Sequence, residues 1–169
     1  RTLRGNVQTR LKKLKEGACD GILLAAAGLK RLGIEEGEEW RFIRLSPEQF
    51  LPAGGQGILA VETKADTEAH RLCSQIDCRS SRLCLTAERS VLETLQAGCH
   101  APVAVYANLF EEDGETKLRL RGINGPEHAS QLTDAELKNK IRRGDLCGTL
   151  SEISVTTLAD QAGKGLLWP

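Results

Sequence analysis

The sequence lacks both a net charge and a long apolar run. Lysine plus arginine total 23 residues, as do aspartate plus glutamate. No overall field therefore favours nucleic acid or an anionic membrane, and any anion site must come from locally clustered cations. The longest apolar run, residues 22–29, is much shorter than the roughly 18 residues that a membrane-spanning helix needs. We predict a globular chain whose partners include neither nucleic acid nor a membrane.

Motifs for metal and phosphate binding are also missing. The six cysteines contain no Cys-x-x-Cys pair, and no histidine lies at ligand spacing from two of them, so we predict no bound zinc or other metal. The glycines at 54–57 match neither a dinucleotide fingerprint nor a phosphate loop, and are typical either of a tight turn or of a ligand approach. Because a chain of 169 residues buries a sizeable core without disulfides, we expect reduced thiols.

The chain begins with Arg1 and not with methionine, and it has no signal-like start. We therefore expect it to be a segment of a longer protein. Reduced thiols favour a cytoplasmic location, and a plastid location stays open if a transit peptide has been removed.

The first part of the chain has α/β patterning. Apolar residues at helical spacing predict a helix over 7–15, capped by Asn6 and followed by Gly17. The apolar run 22–28 predicts a strand buried on both faces of a parallel sheet, followed by a brief helical turn. A second strand is predicted over 58–63, after the glycine-rich stretch.

The second part, beyond a boundary near 65–70, has α+β patterning. An apolar stripe of Cys84, Ala87, Val91 and Leu95 predicts an amphipathic helix over about 81–96 that Gly98 ends. Alternating residues on either side of Asp113-Gly114 predict an antiparallel hairpin, with Val103, Val105, Ala107, Leu109, Leu118 and Leu120 facing inward. A capping-box pattern at Thr133 and Glu136 predicts a helix that closes on Gly144.

Three arginines are candidates for an anion site. Arg4 and Arg10 flank the start of the first helix, where free backbone N–H groups and the helix dipole favour negative charge. Arg31 follows the predicted buried strand, at the sheet edge where ligands bind in α/β folds. A guanidinium group donates two parallel hydrogen bonds to a carboxylate. The alternative is that each is a solvated surface arginine.

Cys99 stands at the junction between the amphipathic helix and the hairpin. Small neighbours leave its approach open, and His100 or a converging arginine could favour the thiolate. The alternative is a small buried hydrophobe. That second interpretation is the one we expect for the other five cysteines: Cys19, Cys73, Cys78, Cys84 and Cys147.

Four blocks in order resemble the later part of the porphobilinogen deaminase (hydroxymethylbilane synthase) family: "LRGNVQTRLKKL", "ILLAAAGLKRLG", "LPAGGQGILAVE" and "AERSVLETLQAGCHAPVAVYA". The resemblance implies a transferase of porphyrin, tetrapyrrole and heme biosynthesis, which is a monomer when full length. Such an enzyme joins four porphobilinogen molecules stepwise into linear hydroxymethylbilane and releases ammonia each time. Its primer is a dipyrromethane, attached by a thioether to the cysteine that matches Cys99.

The resemblance also implies roles for individual residues. Arg31 would bind carboxylates of the incoming porphobilinogen. The residues implied for dipyrromethane binding are Cys99, Arg4, Arg10, Leu24, Ala25, Gly28 and Gln56. The family's catalytic aspartate lies in an N-terminal part that has no counterpart here, so no catalytic residue is expected in this chain. That missing part of the same protein is an expected partner, and the segment alone is expected to be inactive.

The fold implied by the resemblance is part of a two-lobed, solute-binding-protein-like α/β region followed by a small α+β domain with an antiparallel sheet and helices. Residues 1–45 would complete the second domain, 46–67 would return to the first, and 68–169 would form the third. Two other functions stay open. One is a non-enzymatic carboxylate-binding module, and the other is a hydrolase that uses Cys99 and His100.

Overall fold

The computed structural model describes residues 3–98, 100–149 and 155–167, without the side chains of Ser130, Val155 and Thr156. Its contacts divide the chain into two units, residues 1–45 and 46–169. Over the described ranges, no helix has both the length and the apolar character needed to cross a bilayer.

The first unit contains two helices, α1 (Val7–Lys15) and α2 (Ala26–Arg31). The side chain of Asn6 accepts a hydrogen bond from the Thr9 amide at 2.8 Å, which satisfies one of the free N–H groups at the start of α1. The predicted helix over 7–15 and its cap are therefore confirmed.

The prediction of a buried strand over 22–28 is wrong. Residues 22–25 have no regular structure, the side chain of Leu23 is 65% exposed, and α2 starts at Ala26. A strand needs a neighbour to satisfy its backbone groups, and no residue described in this unit forms one. The alanine-rich end of the run has high helix propensity and continues instead into the helical turn expected after it.

The second unit is a three-stranded antiparallel sheet with helices. Its elements are α3 (Glu68–Ser74), α4 (Arg79–Thr94), β1 (Val103–Glu112), β2 (Glu115–Asn124), a 3₁₀ turn (Ala129–Gln131), α5 (Asp134–Lys140), β3 (Arg142–Thr149) and α6 (Val155–Leu166). The strand order is β1-β2-β3. The described chain is thus a mixed α/β protein with six α-helices and one antiparallel sheet.

Helices α4 and α6 contact the sheet and each other, and the core lies among them. The predicted stripe on α4 is confirmed, since Ala87 and Val91 are fully buried and Cys84 and Leu95 pack beside them. The inward residues of the hairpin are also confirmed: Val105, Ala107, Leu118 and Leu120 are buried, and Val103 and Leu109 pack against them. These side chains hold α4 at a fixed place on the sheet.

The hairpin turn has the predicted chemistry. Glu112 pairs with Glu115, so Asp113 and Gly114 form a two-residue turn. Their φ angles are +54° and +78°, as a type I′ turn requires, and Asp and Gly tolerate this region better than other residues.

Three other sequence predictions need correction. Residues 58–63 form no strand, and Leu59 and Val61 are 79% and 60% exposed. Helix α4 ends at Thr94, before Gly98, because Gln96 already has a φ of +52°. Helix α5 has its capping box but ends at Lys140, and Gly144 lies inside β3, opposite Gly122.

Candidate functional site

The start of α1 is a cationic turn braced by its own side chains. Arg10 Nε donates to the Gly5 carbonyl at 2.8 Å, and Lys13 Nζ donates to the Arg4 carbonyl at 3.0 Å. The first turn carries no acidic residue. The two predicted arginines therefore lie at one helix terminus, where the dipole adds to their charge.

The candidate arginines have no acidic partner among the residues that the structure describes. Arg4 and Arg31 are exposed and Arg10 is half-buried. Within the described part of the chain, none of the three forms an ion pair. The Nε of Arg10 is bound to a carbonyl, and among the described residues its two terminal nitrogens have no hydrogen-bond partner that would compete with a carboxylate.

Helix α2 brings further predicted residues close to this turn. A methyl group on Gly28 would lie 3.9 Å from Val7 Cγ2, so that side of α2 lies beside the first residue of α1. Arg31 is three positions later and shares the face of Gly28. Leu24 and Ala25 precede α2, the first half-buried and the second exposed.

Gln56 belongs to the second unit, in a turn that we call the glycine-rich turn (residues 54–57). The backbone amide of Gln56 donates to the Ala53 carbonyl at 3.1 Å, and Gln56 itself is exposed. The Gly55 amide donates to Glu88 Oε2 at 2.6 Å. The turn is thereby attached to helix α4.

Glu88 is a residue that the sequence analysis missed. It is only 4% exposed, and its second oxygen, Oε1, accepts from the Ala107 amide at 2.8 Å. Burial raises the pKa of this carboxyl, and the two backbone hydrogen bonds oppose that rise. An acidic residue next to Ala87, on the apolar side of an amphipathic helix, was the signal that could have revealed it.

Cys99 lies outside the described residues. Gly98 and His100 on either side of it are exposed. The end of α4 just before them carries an open depression of about 260 Å³, lined by Arg89, Leu92, Glu93, Gln96 and Ala97. The residues that lead to position 99 are therefore at the surface of the second unit.

The other cysteines only partly match the expectation of burial. Cys19, Cys73 and Cys84 are partly buried, but Cys78 and Cys147 are exposed. Hydrogen bonds from the hydroxyl groups of Ser80 and Ser81 lower the pKa of Cys78 to about 7. Cys78 is exposed and immediately precedes α4, so it is not a small buried hydrophobe.

Comparison with known proteins identifies two adjoining regions. Residues 1–71 match the family model "Porphobilinogen deaminase, dipyromethane cofactor binding domain", and residues 82–152 match "Porphobilinogen deaminase, C-terminal domain". The cationic turn and the glycine-rich turn both lie in the first region, and Glu88 lies in the second.

Similar whole proteins carry the same name. The chain is 40% identical over 168 residues to the porphobilinogen deaminase of Roseiflexus sp. (strain RS-1), a match that covers 98% of this chain and 51% of that protein. It is 42% identical over 147 residues to the enzyme of Xylella fastidiosa (strain 9a5c), with 86% and 46% covered. The probable porphobilinogen deaminase of Methanosarcina barkeri is 47% identical over 164 residues, with 95% and 50% covered.

The chain thus spans about half the length of the curated relatives that it matches. The two family models match residues 1–71 and 82–152, which together are most of the chain. The chain belongs to the porphobilinogen deaminase family.

Proposed function

We propose that the full-length protein containing this chain is a hydroxymethylbilane synthase. It condenses four porphobilinogen molecules into linear hydroxymethylbilane, with release of ammonia, on a dipyrromethane primer bound through a thioether to Cys99. The observation that carries the proposal is the unneutralised cationic turn at α1, inside the region that matches the cofactor-binding domain.

The donor set of the first unit suits a dipyrromethane. Each pyrrole of this group carries an acetate and a propionate, so the ligand is a polyanion. The exposed guanidinium of Arg4 and the free terminal nitrogens of Arg10 can each hold a carboxylate by paired hydrogen bonds. Buried or clustered carboxylates are costly unless cations pair with them. When bound, the group supplies the free pyrrole position at which each new unit is added.

The remaining candidate residues fit the same assignment. We assign Arg31 to the carboxylates of the incoming porphobilinogen, because it is exposed and shares the α2 face of Gly28. We assign Leu24, Ala25 and Gly28 to the lining of the same site, because they are small or apolar residues close in sequence to Arg31. Gln56 offers an exposed amide that can both donate and accept hydrogen bonds.

The domain assignment is part of the proposal. Residues 1–45 would complete a second domain, 46–67 would return to a first domain, and 68–169 would form the third, within a two-lobed architecture. The catalytic aspartate would come from the half of the protein that this chain does not contain. We therefore propose that the full-length protein is a monomer in which that half completes the site.

Intact-mass analysis of the full-length protein tests the proposal. The unsubstituted protein is expected to carry two pyrrole units and to react with Ehrlich reagent. The adduct should disappear in Cys99→Ser and persist in Cys78→Ser, a matched control because Cys78 is exposed and has a pKa lowered to about 7.

Two results would contradict the proposal. A protein that binds polycarboxylates reversibly and carries no adduct would be the carboxylate-binding module instead. A protein that forms hydroxymethylbilane without any covalent pyrrole would exclude Cys99 as the anchor. The 169-residue chain alone is expected neither to load the cofactor nor to turn over porphobilinogen.

A further inference from the structure

The outer edge of β1 has backbone amides that bind groups outside the sheet. Among the strands of the described residues, β1 lies at the edge and pairs with β2 alone. Two alternate amides on its free edge instead donate to other elements: Val105 to the Pro52 carbonyl at 3.0 Å, and Ala107 to Glu88 Oε1 at 2.8 Å. The chain before the glycine-rich turn and the side chain of one helical residue therefore cover this edge.

Glu88 connects that edge to the glycine-rich turn. Its other oxygen accepts from the Gly55 amide at 2.6 Å, so one carboxylate joins α4, β1 and the turn. Over the described residues, Glu88 forms no ion pair with any cation. A buried carboxylate without a cation is costly. The backbone amides of Gly55 and Ala107 are therefore the groups that stabilise this carboxylate.

The turn also fits closely against α4. A methyl group on Gly54 would lie 2.8 Å from Leu92 Cδ1, and one on Gly55 would lie 3.3 Å from Leu85 Cδ1. The backbone of the turn is therefore held against one face of α4, by contact with Leu85 and Leu92 and by the hydrogen bond to Glu88. Gln56 is the exposed side chain that this arrangement presents.

We propose that Glu88 is a positioning residue that fixes the glycine-rich turn on α4 and β1 and thereby sets the place of Gln56. The inference rests on the proposed function, in which Gln56 contributes to the site that holds the dipyrromethane and the growing chain. Glu88 itself touches neither of them. Its contribution passes through the Gly55 amide, which is one residue away from Gln56.

The test uses the full-length protein and the substitution Glu88→Gln. Glutamine has the same shape but only one acceptor oxygen, so its NH₂ group would face one of the two amides. Hydrogen exchange is expected to rise in peptides covering 53–57 and 103–109, and to stay unchanged in α6. Faster exchange throughout the second unit would mean a general structural role and would overturn the inference.

A double-mutant cycle then asks whether Glu88 acts through Gln56. Glu88→Gln and Gln56→Ala are each expected to lower kcat/KM about tenfold, and the double variant should be no worse than either single variant. The control is Glu48→Gln, which removes the ion pair between the exposed Glu48, in the segment before the glycine-rich turn, and the largely buried Arg121 on β2. Glu48→Gln should lower kcat/KM only slightly, and the loss in its double variant with Gln56→Ala should be the product of the two single losses. If the losses of Glu88→Gln and Gln56→Ala also multiplied in their double variant, the inference would be overturned.

A second variant and a second readout keep the outcome decisive. If Glu88→Gln does not fold, Glu88→Asp keeps the charge but is one methylene too short to reach both amides, and the same two results are expected. If the unsubstituted protein has no adduct and no activity, the proposed function fails. Hydrogen exchange at 53–57 still decides whether Glu88 holds the turn, and unchanged exchange there rejects it.

Discussion

Arg121 Nη2 donates to Glu48 Oε1 at 2.8 Å, while the same guanidinium lies 5.6 Å from the centre of the Tyr106 ring. Arg121 and Tyr106 are cross-strand partners on β2 and β1. Glu48 comes from the segment that precedes the glycine-rich turn. The contact therefore ties that segment to the outer face of the sheet, opposite the face that packs on α4 and α6.

The first prediction concerns the titration of Glu48. A hydrogen bond with Ser46, followed by that with Arg121, lowers the pKa of Glu48 to about 2. Because the folded pKa lies below the unfolded one, any stability from this contact is present above the unfolded pKa, roughly 4.3. It is lost as the pH falls through about 2.

Carboxyl-carbon NMR checks the prediction. The Glu48 resonance should titrate near pH 2 in the unsubstituted protein and closer to its ordinary range in Arg121→Ala. A Glu48 pKa that does not move in Arg121→Ala would contradict the ion pair.

The second prediction concerns two glycines of α6 that differ in their surroundings. A methyl group on Gly163 would lie 2.7 Å from Thr94 Cβ on α4, whereas one on Gly165 would meet no atom within 4 Å. Gly163→Ala should therefore lower the free energy of unfolding by about 1–3 kcal/mol through overpacking. Gly165→Ala should raise it by up to about 1 kcal/mol, because alanine is the better helix former.

Urea unfolding of the two variants gives the comparison, with the free energy of unfolding taken at a common slope. The pair is matched, since both glycines lie in the same helix and both changes add one methyl group. Equal effects in the two variants would mean that α4 and α6 are not in close contact at Gly163.

The packing of α6 on β3 explains why the sequence did not reveal this strand. The inward residues of β3 are Gly144, Leu146 and Gly148, as their pairing with β2 shows, so the strand has almost no apolar alternation to detect. Gly144 lies beside Leu166 of α6. The glycines on the inward face of β3 leave room for α6. The same glycines remove the apolar alternation that would have predicted the strand.

Elements with local signals were predictable. The cap at Asn6, the capping box at Thr133 and the turn at Asp113-Gly114 depend on residues within a few positions of one another. The strands predicted over 22–28 and 58–63 depend on a partner strand, and apolar runs carry no information about whether one is present. Of the site, single arginines and the position of Glu88 on the apolar side of the helix were visible in the sequence, but the partners of Glu88 were not, because they are 33 and 19 positions away.

The third prediction concerns the thiol of Cys78. Its pKa of about 7 arises from the Ser80 and Ser81 hydroxyl groups, and the residue is exposed. At pH 7 Cys78 should therefore react with iodoacetamide faster than the exposed Cys147, because the thiolate is the reactive form. Ser80→Ala should slow this reaction, since Ser80 makes the largest contribution to the low pKa.

Peptide mapping after brief alkylation measures both rates. Substitution of Ser90, which also lies on α4 but has no contact with the thiol, serves as the control. Equal labelling of Cys78 and Cys147, in a protein whose fold is intact, would contradict the lowered pKa.

The fourth prediction concerns the cap of α1 and tests the cationic turn directly. Asn6→Ala removes the acceptor for the Thr9 amide and should destabilise the helix by about 1 kcal/mol. The turn 4–6 also supplies the carbonyl groups that hold Arg10 and Lys13. Loss of the cap should therefore loosen the cations that we assign to the carboxylates of the dipyrromethane, and the fraction of full-length protein that carries the adduct should fall.

Asn6→Ser is the matched control, because serine is an equally good cap and its hydroxyl can accept the same hydrogen bond. It should load the cofactor as the unsubstituted protein does. Intact mass gives the loaded fraction, and exchange of the α1 amides gives the state of the helix. If Asn6→Ala loosens α1 without any loss of loading, the start of this helix does not hold the carboxylates. The cationic turn would then be a surface feature, and the anion site would have to lie with other residues.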